Sequence, residues 1–396
     1  MASTNTLLTP TVIAKEALMQ LTNNLAMGRN VYTAYKNEFV KVGQTITIRK
    51  PNKFRATKTQ ARSNTNLTEP STTITMSTQA HVSWAFSSVE LTQTIEDYSK
   101  RYIGPAAAAL ANQVDYDLCG LYTDVYNYAG SPGTTPGTFK VLGGCQTVLD
   151  DECAPQDRRV AIVNPDANWA LADGLKGTFA ANVAKDIITR GFLGQIANLS
   201  IYMDQNVNRH LTGAFTTGAT PLVDGASQTG SDILSKGWSG SNTLKKGDIF
   251  TMAAVYGVNP MSGASTGKLR RFAVTADIAD TAAAINIPNT PTLTVTGAYQ
   301  TADASPAGDA EITMVGTEST YYPQNLVFHP NAFALVTTPI EVPSNVWGAR
   351  ETDPEMGLSI RVVKQYDIEA DEEIIRLDIL YGVKTLYPEL AVRLWG

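Results

Sequence analysis

From Ile103 to Tyr128, apolar side chains recur every third or fourth residue: Ile103, Ala107, Leu110, Val114, Leu118, Leu121, Val125 and Tyr128. At about 100° per residue these positions share an arc of about 80°. Asn112, Asp115, Thr123 and Asn127 lie outside it. The pattern predicts one long helix over Arg101–Ala129. Pro105 suits its first turn, and the Ala106–Ala109 run has the highest helix propensity. Ala129-Gly130-Ser131-Pro132-Gly133 stops it. The rise from Pro105 to Tyr128 is roughly 36 Å at 1.5 Å per residue. So narrow a stripe needs a flat packing partner, such as a sheet.

A second helical edge runs through Ile13, Ala17, Leu21 and Leu25, behind Thr9-Pro10 as N-cap and first-turn proline. A helix this short is marginal alone. The arm, residues 1–30, must therefore dock on the body of the protein or on a neighbour.

Over residues 31–90 the period drops to two. Gln44–Arg49, Thr72–Met76 and Val82–Phe86 each alternate as strands do. Between them, Thr57–Pro70 (TKTQARSNTNLTEP) offers only Ala61 and Leu67 as apolar side chains. A hairpin with such a tip has no core of its own, so it is disordered or rests on another subunit.

The rest of the chain mixes both periods. Short helices are expected over Leu91–Lys100, Val141–Leu149 and Trp169–Leu175, with Ser131–Lys140 as a loop. Arg159–Val163 reads as a strand stopped by Asn164-Pro165, and Ile196–Met203 as another. Residues 225–327 turn to Gly, Ser, Thr and Ala with almost no helical period. There Ile249–Val258, Leu269–Val274, Thr292–Val295 and Glu311–Val315 read as strands of a small inserted all-β unit. The main body resumes at Phe328. Ala332–Thr337 is a strand, Leu358–Tyr366 and Ile374–Tyr381 pair across Asp367–Glu373, and Val383–Trp395 closes the chain.

Composition narrows the function. Of 396 residues, 43% are hydrophobic and only 17% charged, with a net charge of −6. The first allows a substantial core, and the second leaves a neutral polar surface suited to contact with further copies. No basic cluster exceeds KPNKFR, which argues against a nucleic-acid surface. No apolar run approaches the ~18 residues of a membrane span. MASTNTLLTP has no basic region followed by an apolar core, so no secretory signal is expected. Cys119, Cys145 and Cys153 have no metal spacing and read as reduced thiols.

The search for chemistry finds no constellation. Gly263-Ala264-Ser265-Thr266-Gly267 has the letters of a nucleophile elbow, but both flanks are β, so it reads as a hairpin turn. His81, His210 and His329 lack a partner at ligand spacing. The runs Asp150-Asp151-Glu152 and Asp371-Glu372-Glu373 read as turns and solvated ends. Cys119 falls on the side of the long helix away from the stripe, among carboxylates that disfavour a thiolate. No phosphate-cradling glycine loop is present. No catalytic residue, cofactor or metal is expected, and a chain with an arm and a coreless projection is expected to build rather than convert.

Several stretches resemble the major capsid proteins of tailed bacteriophages, in the coat-protein family typified by Salmonella podoviruses. They are LLTPTVIAKEAL, GQTITIRKPNKF, SSVELTQTIEDYSKRYIGPAAAALANQVD, KVLGGCQTVLDDECAP, KKGDIFTMAAVYGVNP with STGKLRRFAV, and NLVFHPNAFALVTTPIEVP. They cover most of the chain in order. The sequence departs from the family at Asn198-Leu199-Ser200 and over Ala276–Pro291.

The resemblance implies an α+β chain with the Johnson capsid fold. Residues 1–30 would be the N-arm and 31–90 the extended loop lying on a neighbouring subunit. Residues 91–149 would be the peripheral domain with its spine helix, and 150–224 with part of 328–360 the axial domain. Residues 225–327 would be a telokin-like insertion, and 328–396 the return through the axial and peripheral parts. It further implies hexamers and pentamers of the same chain, assembly on a scaffolding protein in the host cytoplasm, a portal at one vertex and a maturing shell around DNA. Decoration proteins are a further possible partner. Glu16 is the acidic candidate for scaffold contact. Arg55, Lys58 and Arg62 on the projection are the candidates for inter-subunit contact. Lys53 and Lys58 could chemically form isopeptides, but the family resembled does not cross-link its shell. The competing expectation is a β-rich surface or carbohydrate-binding module. That would need a secretory route and an aromatic groove, and Trp238, Trp347 and Trp395 are too scattered to form one.

Overall fold

The structure is a computed structural model that describes residues 10–34, 45–56, 58, 60, 69–87, 99–175, 193–215, 220–239, 242–279, 284–353 and 357–396. The helix expected over Leu91–Lys100 lies largely outside these residues, as do Arg62 and most of the polar tip. The chain forms two units. One comprises Met1–Ile48, Ser71–Leu118 and Phe333–Lys384; the other comprises Arg49–Pro70, Cys119–Ala332 and Thr385–Gly396.

In the first unit, strands Phe333–Thr337, Glu372–Thr385, Ser359–Asp367 and Trp347–Thr352 lie side by side, and Thr78–Ser87 also pairs with Glu372–Thr385. Glu372–Thr385 runs antiparallel to both Ser359–Asp367 and Thr78–Ser87, with Val362 opposite Leu377 and Leu377 opposite Val82. The expected hairpin is present, turning at residues 368–371. The arm helix, Pro10–Asn24, packs on Trp347–Thr352 and Ser359–Asp367. Ile13, Ala14, Ala17 and Leu21 are buried in that contact. Burying one Ile and one Leu stabilises it by about 3–6 kcal/mol, an upper bound. The arm thus docks on its own subunit.

The long helix departs from expectation. A wide helical turn, Ser99–Ile103, leads into an α-helix, Gly104–Cys119, which tightens to a 3-10 turn over Gly120–Asp124. Val125 is then extended, Tyr126 and Asn127 belong to no helix or strand, and Tyr128–Ala129 form a strand. The helical spacing continues, but a β partner claims the backbone. Arg393 and Trp395 donate from their backbone nitrogens to Asn127 and Ala129 oxygens at 2.9 Å. Asp115 and Cys119, placed outside the stripe by the sequence, are 1% and 2% exposed. Asp117 on the helix accepts from the Tyr381 hydroxyl at 2.5 Å.

In the second unit, one six-stranded sheet has the order Tyr128–Ala129, Ala391–Leu394, Asn325–Phe328, Arg159–Val163, Leu199–Met203, Gln195–Ile196. Arg159–Val163 is buried along its whole length, as a central strand between hydrophobic faces must be. The helices Phe139–Asp151 and Pro165–Leu175 contribute Leu142, Leu149 and Leu171 to its core. The single strand expected over Ile196–Met203 is instead a tight hairpin. Ala197 and Asn198 take φ of 49° and 61° and reverse the chain between Ile196 and Leu199.

The second six-stranded sheet is antiparallel throughout, in the order Ile312–Met314, Ile249–Val258, Ser265–Val274, Ala284–Leu293, Gly230–Lys236, Leu222–Val223. It has its own core, from Phe215 through Trp238, Phe250 and Phe272 to Ile312. The turn joining two of its strands spans residues 259–264, so Gly263 and Ala264 close it while Ser265–Gly267 open strand Ser265–Val274; Ser265 bonds to Asp303 at 3.1 Å.

Candidate functional site

At the base of the expected projection, the Lys50 backbone N–H donates to the Pro70 oxygen at 2.8 Å. Residues 50–56 belong to no helix or strand. Side chains hold them instead. The Lys50 ammonium donates to the Leu386 oxygen and lies 4.8 Å from the Tyr387 ring centre. The Tyr299 hydroxyl donates to Asn52 Oδ1 at 3.2 Å and accepts from the Lys53 backbone N–H at 3.3 Å. Lys53 pairs loosely with Glu389 at 3.7 Å. Arg55 Nη1 donates to Gln300 Oε1 at 2.6 Å. Its guanidinium covers Gly263, where an added Cβ would stand 2.5 Å from Arg55 Nη1.

Of the four residues singled out from sequence, the structure describes three. Arg55 is half-buried against Gln300, in the segment between strands Ala284–Leu293 and Ile312–Met314. Lys58 is exposed, and Glu16 is half-exposed on the arm helix. Arg62 lies outside the described residues. The structure does not gather them into one cluster; Phe54, 66% exposed, stands out beside Arg55.

Sequence reasoning missed a second feature. The run Asp150-Asp151-Glu152 is paired at every position. Asp150 meets Arg159 at 2.7 Å, Asp151 meets Lys268 at 2.5 Å, and Glu152 meets Arg270 at 2.6 Å. The last two tie the end of Phe139–Asp151 to strand Ser265–Val274. Arg270 also stacks over Tyr126 and Arg271 over Tyr128, at 4.9 and 4.3 Å. Burial opposes the charge of Arg270, but Glu152 and Tyr126 more than offset it, so its pKa is raised. Burial, then Glu152, pushes the Tyr126 hydroxyl well up. The available signal was the matching basic run Lys268-Leu269-Arg270-Arg271, 118 residues from Glu152.

A third cluster is buried. His210 Nε2 lies 2.8 Å from Asp248 Oδ1, and Nδ1 lies 3.1 Å from the Tyr122 hydroxyl. Asp248 also accepts backbone N–H bonds from Gly213 and Lys245. Arg393 donates to the Val125 and Gly247 oxygens and stacks over Tyr122. Burial lowers its pKa to about 10. His, Asp and Tyr here pin loops together, and each is occupied by structural partners. Among the described residues no group of three or more His, Cys, Asp or Glu side chains could hold a metal. Among them, too, no helix is long and apolar enough to cross a membrane.

The sequence profile of the family described as "P22 coat protein - gene protein 5" matches residues 1–396. No curated protein sequence matches the chain significantly. Among solved structures, a chain of Mycobacterium phage Che8 is similar at 14% identity, over 93% of this chain and 90% of that one, with a TM-score of 0.51. The capsid structure of the cyanophage P-SCSP1u matches at 10% identity, over 92% and 85%, with a TM-score of 0.42. The CUS-3 coat protein I-domain matches at 22% identity over 26% of this chain and 99% of that one, with a TM-score of 0.20.

Proposed function

Because the chain belongs to the P22 coat protein family, we propose that its shell is first built as a procapsid on a scaffolding protein and then matures around double-stranded DNA. The chain is a phage major capsid protein with the α+β Johnson capsid fold, its copies build the shell, and it is a component of the virion. We propose further that the shell is built of hexamers and pentamers with a portal at one vertex, assembles in the host cytoplasm and has no sequence-specific grip on DNA.

The observation that carries the reading is the family match over the whole chain. The parts then take roles: 1–30 the N-arm, 31–90 the extended loop, 91–149 the peripheral domain, 150–224 the axial domain, 225–327 the insertion and 328–396 the return. A projection and a receiving face are two different surfaces, as closed rings of identical subunits require. Each contact can be weak, because many close together. Glu16 is the proposed scaffold contact. Lys58 and Arg62 are the proposed contacts with the neighbour, through a shell that stays free of isopeptide cross-links.

Co-expression with the scaffolding protein of the same phage, followed by negative-stain microscopy, tests this. Closed polyhedral shells are expected. Isolated globules with the scaffolding protein present would overturn the procapsid reading. Boiling mature particles in denaturant should give one band, and a ladder would contradict the absence of cross-links.

A further inference from the structure

We propose that the Tyr299–Gln300 corner of the inserted sheet is a splint that sets the direction in which the projection leaves its own subunit. On this proposal Arg55 is a positioning residue that acts through Gln300. The inference rests on the shell reading above, since direction matters only if the projection must meet a neighbour.

Residues 50–56 have no ladder of backbone bonds to fix them. Ordering such a segment costs about 1–2 kcal/mol per residue in backbone entropy, so something must hold it. One hydroxyl, from Tyr299, bridges two consecutive residues, Asn52 and Lys53. Two residues on, Gln300 receives Arg55. Among the described residues, the remaining guanidinium nitrogens, Nε and Nη2, are buried and find no hydrogen-bond partner. A cation accepts that position only where the rest of the geometry holds it there. Gly263 supplies the space: its φ is +72°, and an added Cβ would stand 2.5 Å from Arg55 Nη1, so any side chain there would displace the guanidinium.

The corner is itself rigid before it holds anything. Gln300 Nε2 donates to the Ala302 oxygen at 2.9 Å, which turns Oε1 toward Arg55. Thr301 bonds to Thr292 and Thr294, and Ala302 is fully buried. The grip therefore comes from preformed structure in the insertion. The neighbour is met by residues beyond Ala56, so angular freedom at the base becomes positional freedom at the contact.

The bland alternative is that these bonds merely add to the stability of the inserted sheet. Two readouts separate the ideas: amide hydrogen exchange of residues 52–56 in the monomer, and shell yield on co-expression with the scaffolding protein of the same phage. The variants are Tyr299→Phe, Gln300→Ala, their combination, and Gln300→Glu, which keeps an acceptor for Arg55. The combination should speed exchange at 52–56 at least about tenfold, because it removes three hydrogen bonds to residues 52–55, one of them from the charged Arg55 guanidinium. It should cut closed shells severalfold while the thermal midpoint of the monomer stays put. Gln300→Glu should restore both. Unchanged exchange at 52–56, or fast exchange with wild-type shell yield, would overturn the splint. If wild type itself forms no shells, the shell reading fails, and the exchange result still decides whether the corner holds the projection.

Discussion

The carboxylate of Asp115 accepts from the backbone N–H of Gly28 at 2.8 Å, across 87 residues of sequence, and from that of Ala26 at 2.6 Å. One side chain on the long helix thus terminates the arm. Gly28 is suited to the close approach: an added Cβ would meet Leu25 at 3.1 Å and Asp115 at 3.4 Å.

Replacing Asp115 by Ala strands two donors, and losing bonds to a charged acceptor costs about 2–4 kcal/mol. Asp115→Asn should cost less, because one acceptor oxygen remains. Urea unfolding of the monomer measures the loss, and limited proteolysis should show new cleavage between Asn24 and Ala34. Wild-type stability and an uncut arm in Asp115→Ala would show that the apolar contacts of Ile13 and Leu21 suffice.

The two pairs at the end of helix Phe139–Asp151 should differ sharply. Glu152 and Arg270 have side chains 9% and 7% exposed, whereas Asp151 and Lys268 are 34% and 51% exposed. Glu152→Ala leaves a buried guanidinium unpaired, which costs about 3–5 kcal/mol. Asp151→Ala breaks a pair near water, worth about 0–1 kcal/mol. Denaturant midpoints of the two variants should therefore separate clearly, and equal losses would contradict the burial argument.

What the sequence revealed and what it hid follow one rule. Features set by neighbours a few residues away were legible: the arm edge Ile13–Ala17–Leu21, the alternation Val82–Phe86 within strand Thr78–Ser87, the hairpin around residues 368–371 and a turn reaching Gly263 and Ala264. Features set by distant partners were not. The helix ends at Cys119 because the C-terminal strand captures Asn127–Ala129. Asp115 looked like a surface carboxylate because its donors lie far back in the chain. Glu152 looked solvated because Arg270 does not appear beside it. At the projection, the basic residues were visible, but only the fold shows that Arg55 already has a partner in Gln300. Ala197 with φ of 49° has no local signal at all, and Asn198 supplied the one hint of a turn.

The three thiols should behave differently. Cys119 and Cys145 are buried and Cys153 is exposed, just past the helix Phe139–Asp151. Burial pushes the Cys145 thiol up to about 12, so it stays protonated and unreactive at neutral pH. A chromogenic disulfide reagent should titrate one thiol rapidly in the native subunit and all three of the chain's cysteines after denaturation. Cys153→Ser should remove the fast phase. Its persistence in that variant would mean that one of the inner cysteines opens to solvent.

Acid should weaken the second unit through His329. Its Nδ1 accepts from the Asn331 backbone N–H at 3.3 Å, and Nε2 is buried without a hydrogen bond among the described residues, 3.7 Å from Asp157. Burial lowers its pKa below the ordinary 6.5; Asp157 pulls it up, while Arg158 and Arg159 push it down. With the folded value depressed, the unfolded chain binds the proton first. The stabilising contribution is complete above pH 6.5 and is lost as pH falls from there through the depressed folded value. His329→Gln keeps an amide in the site but removes the titration. The variant's urea midpoint should change less than wild type's between pH 7.5 and pH 5, because every other titrating group is common to both. Parallel pH curves for the two proteins would show that His329 takes up its proton as readily when folded as when unfolded.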